Sequence, residues 1–123
     1  MTLDGIKYIN GKLAGVVDYT YMRYWGDFNK IYWVGESYEN GQDLEDGSLQ
    51  SSLLITGTTT GTWLDLLQER DKIKKALVGT KDLTDAGSIA VYYDSGQSIP
   101  SDDEKIKRYQ IKLTVNEWEK GTN

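Results

Sequence analysis

The residues that could do chemistry here are carboxylates, hydroxyls and one glycine–threonine run. Glu36, Glu39, Asp43, Glu45 and Asp46 crowd one polar stretch, and Asp102, Asp103 and Glu104 form a second. Such oxygens could hold Ca²⁺ or Mg²⁺, but the D-x-[DN]-x-[DN]-G loop pattern is absent. Paired carboxylates could also serve a glycosidase, yet a chain of 123 residues leaves little room for a sugar cleft. Runs of charge are usually solvated surface, and that is how both stretches read. The run Gly57 to Thr62, GTTTGT, invites an anion at a helix N-terminus. A phosphate loop needs G-x-x-x-x-G-K-[ST]. Here the glycine spacing is one residue short, and Thr62 stands where the lysine should be. The run therefore reads as a strand-to-helix turn with a cap.

The chain has no His and no Cys. Ser-His-Asp and Cys-His catalysis are excluded, as is a disulfide framework, and zinc or copper loses its usual ligands. No catalytic, cofactor-binding or metal site is expected. The net charge of −5 and pI of about 4.7 argue against direct nucleic-acid recognition, which calls for a basic face. No stretch reaches the roughly 18 apolar residues of a membrane span. The opening MTLDGIKYING lacks a signal-peptide layout, so the expected location is intracellular or inside an assembly made there. The length fits one domain over 1–123.

Aromatic residues are the unusual component, with nine Tyr, four Trp and one Phe. Most cluster in the band Tyr19, Tyr21, Tyr24, Trp25, Phe28, Tyr32, Trp33 and Tyr38. Core packing accounts for part of this band. Strand alternation turns the rest outward, where exposed aromatics mark a partner surface.

The elements that must position these residues follow from periodicity. Residues 3–14 are open between two readings. Leu3, Ile6, Ile9 and Leu13 have helical spacing, while Asn10-Gly11 is a hairpin signal. Residues 17–25 and 28–38 read as strands, 39–47 as an acidic loop, and 49–58 as a third strand. The best helix spans 62–78. Thr62 is its N-cap, Asp65 stands at the capping-box position, and Gly79 is a stop. Its stripe is Trp63, Leu66, Leu67, Ile73, Ala76 and Leu77. Trp63, Leu67, Ile73 and Leu77 are expected to meet Ile111, Leu113 and Val115 of the last strand. Residues 80–87 read as a connection, 88–93 as a strand, and 94–104 as a loop. In the last strand Tyr109, Ile111, Leu113 and Val115 alternate with Arg108, Gln110, Lys112 and Thr114. Residues 39–47 and 95–104 are the expected mobile loops. The order α-β-β-β-α-β-β predicts an α+β sandwich, mostly antiparallel, with the helices on one face.

This layout resembles the tail terminator proteins, also called tail completion or minor tail proteins, of long-tailed bacteriophages. The resembling stretches are KLAG, YTYMRYW, the strand pair KIYWVGESYENGQDLEDGSLQSSLLITG, the helix TWLDLLQERDKIKKAL and the closing KRYQIKLTVNEWE. They cover nearly the whole chain, as a match of layout without a catalytic motif. The resemblance favours a helix over 3–14, although this segment is shorter and richer in glycine than the family's usual first helix. It implies a structural virion role: a ring, commonly hexameric, that closes the tail tube and meets the head connector or head closure protein. It implies no enzyme activity and no cofactor. Residues 36–48 would be the loop that reaches toward neighbouring rings. Head-to-tail ring contacts need two complementary surfaces on one chain. The candidates are Tyr19, Tyr21, Trp25 and Tyr32, the acidic Glu39, Asp43, Glu45 and Asp46, and the basic stripe Arg108 and Lys112. Two other readings stay open: a head closure or head–tail joining component, and a stand-alone module that presents its aromatic face to a protein or glycan.

Overall fold

Thr2 decides the first element. In the computed structural model, which describes residues 1–23, 29–40, 47–79, 81–84 and 87–119, its hydroxyl accepts from the Gly5 N–H at 3.0 Å. That bond caps helix α1, Leu3–Leu13, and the Ala14 N–H closes the far end on the Asn10 carbonyl. Asn10-Gly11 is therefore helical and not a hairpin turn. Gly11 costs the helix about 1 kcal/mol. Burial of Ile9 and Leu13 outweighs it, at roughly 1.5–3 kcal/mol for each large side chain.

The remaining elements are β1 (Tyr19–Tyr21), β2 (Tyr32–Glu39), β3 (Leu49–Thr59), α2 (Trp63–Leu77), β4 (Lys81–Thr84), β5 (Gly87–Ile99) and β6 (Lys107–Glu119). They form one six-stranded sheet in the order β1-β2-β3-β6-β5-β4. Among the described residues only β1 and β2 run parallel, and every other pair is antiparallel. The α+β class and the mostly antiparallel sheet agree with the sequence reading.

Several boundaries differ. The strand expected over 17–25 is three residues long, because Met22 adopts a left-handed φ of 60° and turns the chain away. The next strand begins at Tyr32 and not at 28. The connection expected over 80–87 contains β4, which brings the strand count among the described residues to six. The loop expected over 94–104 belongs to β5 as far as Ile99. Its polar residues hide a strand whose partner, β6, supplies the apolar face. The larger part of the expected loop 39–47, residues 41–46, lies outside the described residues.

Both helices cover one face of the sheet. That face carries Trp33, Leu53, Ile55, Ile89, Val91, Tyr109, Ile111, Leu113 and Val115, packed with Ile9, Leu13, Leu66, Ile73 and Leu77 from the helices. Two glycines let aromatic rings lie flat on this face. A Cβ at Gly57 would stand 2.6 Å from the Trp33 ring, directly across the ladder. A Cβ at Gly35 would overlap the Tyr19 hydroxyl. The cap of α2 is as read: the Asp65 N–H donates to the Thr62 hydroxyl at 3.1 Å. Trp63 is a correction, being 40% exposed instead of buried. Leu67 is half-buried at the margin of the core, and Leu66 takes its expected place.

Glu117 ties the two ends of the fold together. It is buried on the covered face, and its carboxylate accepts from the Thr2 N–H at 3.1 Å and from the Thr2 hydroxyl. An acidic group at the start of α1 also suits the helix dipole.

Candidate assembly surface

Among the described residues no helix lies over the central strands on the outer face of the sheet. Side-chain alternation turns Gln50, Ser52, Leu54 and Thr56 of β3 outward, beside Asn116, Thr114, Lys112 and Gln110 of β6. The face is polar and cross-linked. The Gln110 amide donates to the Thr56 hydroxyl at 3.2 Å, and the Thr114 hydroxyl donates to Asp94 at 2.7 Å.

One register row carries aromatics at both ends: Tyr38, Ser52, Thr114 and Tyr92 follow one another across β2, β3, β6 and β5. Three interstrand steps separate the tyrosines by about 14 Å. Tyr38 is 55% exposed and Tyr92 50%. The Tyr38 hydroxyl donates to Glu36 at 2.9 Å, and that bond raises its pKa. The next row holds Glu36, Leu54 and Lys112. Arg108 lies four residues before Lys112 on the same face, about 14 Å away along the strand. Lys112 therefore lies one row from the two exposed tyrosines, while Arg108 falls in the distant row of Tyr32, Thr58 and Ile99.

The other sequence candidates fall elsewhere. Tyr32 is 6% exposed, a correction to its place on a partner surface: it packs on the outer face near buried Val34 and Thr58. Tyr19 is half-buried with its ring over Gly35, and burial drives its pKa upward. The Tyr21 hydroxyl is bonded to Ser37. Glu39 is exposed and lies 3.7 Å from the N-terminal amino group. Trp25, Asp43, Glu45 and Asp46 lie outside the described residues. The structure thus brings Lys112 close to Tyr38 and Tyr92 and leaves Arg108 farther along the same face. Tyr92 is the residue that sequence reasoning missed. The signal for it was present, since one of two adjacent tyrosines in a strand must face outward.

A shallow acidic cleft is lined by Gly15, Val16, Val17, Asp18 and Glu69. Glu69 reaches from α2 to accept the Trp33 indole N–H at 3.0 Å. Burial raises its pKa, against the lowering effects of that bond and of Lys72. A raised carboxylate pKa means that the folded chain binds more protons than the unfolded one across that window. This contribution to stability is present at lower pH and is lost as pH rises through the folded pKa. Glu69→Gln keeps an acceptor for the indole and removes the titration. Urea melts from about pH 4 to 7 should show the variant gaining on the native chain as pH rises. A constant difference across that range would show that Glu69 does not titrate with folding.

Among the described residues no cluster of three or more acidic side chains could hold a metal ion, and no helix is long and apolar enough to cross a membrane. No protein-family model matches the chain, and no curated protein matches its sequence. A solved structure does. The chain is similar to one chain from the virion of a native gene transfer agent (GTA) particle, with a TM-score of 0.70 and 11% identity, covering 94% of this chain and 93% of that one. At that identity the likeness establishes a shared fold, and it does so over nearly the full length of both chains.

Proposed function

We propose that this chain is a structural subunit of a phage or prophage virion, formed as a single domain over 1–123. Its role is that of a tail terminator or tail completion protein. It assembles with copies of itself into a ring, hexameric in the family it resembles, at the end of the tail tube, and meets the head connector there. The observation that carries this reading is the fold shared end to end with a virion chain. It is supported by a chain with neither His nor Cys and by an outer face on which Tyr38 and Tyr92 are exposed and which also carries Arg108 and Lys112. In this reading the work is done by assembling, with no substrate turned over. The outer face supplies one of the two surfaces that a head-to-tail ring requires.

The test is incorporation. Purified protein added to polymerising tail-tube subunits should shorten or cap the tubes in electron micrographs, with labelled protein at tube ends. Unchanged tube lengths, together with no label at any end, would exclude the tail terminator role. The second reading is a head closure or head–tail joining component. It has the same support, since the similar chain comes from a whole particle. Binding to connector rings without binding to tubes would select it.

A further inference from the structure

We infer that the free edge of β5, with the ledge beside Lys74, is a strand-addition site for an extended acidic segment of another protein. The inference is independent of the ring reading. β4 pairs with β5 only over Gly87–Ala90. From Val91 to Ile99 the far side of β5 has no strand partner among the described residues. On such an edge alternate residues turn their N–H and C=O groups outward, free to pair with another chain.

Edges are usually guarded by lysine, proline or a bulge. Residues 91–99 contain no lysine and no proline. One bulge falls between Tyr93 and Ser95, and its Asp94 is held by Thr114 on the outer face. Beyond it, Ser95–Ile99 resumes a regular register with β6. Five residues of straight edge therefore remain unguarded.

The ledge sets the charge of the occupant. α2 packs over β3 and β6, so Tyr93 and Ser98, on the covered side of β5, stay exposed. The Lys74 ammonium lies 4.0 Å from the centre of the Tyr93 ring. The Arg70 guanidinium lies 5.2 Å from the Tyr109 ring and is already paired with Asp71 at 3.0 Å. Lys74 has no carboxylate partner among the described residues. A strand added at the edge sets every second side chain over this ledge. A carboxylate there gains the Lys74 charge beside an apolar ring, whereas a lysine is repelled.

The experiment uses the full chain and two heptapeptides, one alternating valine with glutamate and the other valine with lysine. The readout is amide hydrogen exchange by NMR. The glutamate peptide should slow exchange about tenfold or more at alternate amides between Val91 and Ile99, and the lysine peptide should not. Backbone N-methylation of the glutamate peptide should abolish the effect, and Lys74→Glu should reverse the preference. No slowing in this segment would overturn the inference, as would equal slowing by both peptides. Slowing that grows with protein concentration and without peptide would give the edge to a second copy and overturn the acidic partner.

Discussion

Trp33→Ala should lower the unfolding free energy by about 3–5 kcal/mol, as truncations of large buried aromatics do. Trp33 is fully buried, and its effect has two separable parts. Its ring fills the space that Gly57 leaves across the ladder, and its indole N–H is satisfied by Glu69. Trp33→Phe keeps a ring over Gly57 and removes the donor, so it should cost less, about 1–2 kcal/mol. Gly57→Ala approaches the same contact from the other side. The new methyl would press on a buried ring that has no room to retreat, which costs about 1–3 kcal/mol. Urea melts of the three variants test the arrangement. A loss below about 1 kcal/mol for Trp33→Ala would mean that the ring is not the keystone of this face.

Leu66→Ala should cost about 2–5 kcal/mol and Leu67→Ala about 1–2, because Leu66 is fully buried and Leu67 lies at the core margin. The contrast between neighbours is the informative quantity, since it reports the rotation of α2 about its own axis. Equal losses would place the helix on the sheet by a different face.

That contrast also marks where the sequence stops being legible. The ends of α2 were readable because Thr62 and Gly79 act locally, through a cap bond and a left-handed stop. Its rotation was not. Trp63, Leu64, Leu66 and Leu67 crowd one turn, and each residue advances the stripe by about 100°, so several phases bury comparable area. The sheet selects Leu66, Ile73 and Leu77. In β6 strict alternation left one solution, and Tyr109, Ile111, Leu113 and Val115 are buried as read. The candidate surface divides in the same way. Arg108 and Lys112 followed from alternation and do lie on the outer face. The roles of Tyr19 and Tyr32 depended on tertiary neighbours that no local pattern discloses: Gly35 beneath one ring, and the buried Val34 and Thr58 beside the other. The helical reading of residues 3–13 rests on Thr2 and on Glu117, which is distant in sequence, and so could not be settled from Asn10-Gly11 alone.

The sheet order has a consequence for synthesis. β6 lies between β3 and β5 and bonds to both, yet it is the last strand of the order to leave the ribosome. The interval from Thr59 to Glu119 lasts roughly 3 to 12 s at ribosomal speeds. Throughout it, the apolar Leu53 and Ile55 of β3 have an open ladder on one side and no central strand to close it. The nascent chain therefore carries this apolar edge exposed until β6 has been translated. Long-range pairings of this kind also slow folding once they can begin. Slower growth at low temperature, or a chaperone that shields β3 during those seconds, should raise the yield of soluble chain more than any change at the finished surface.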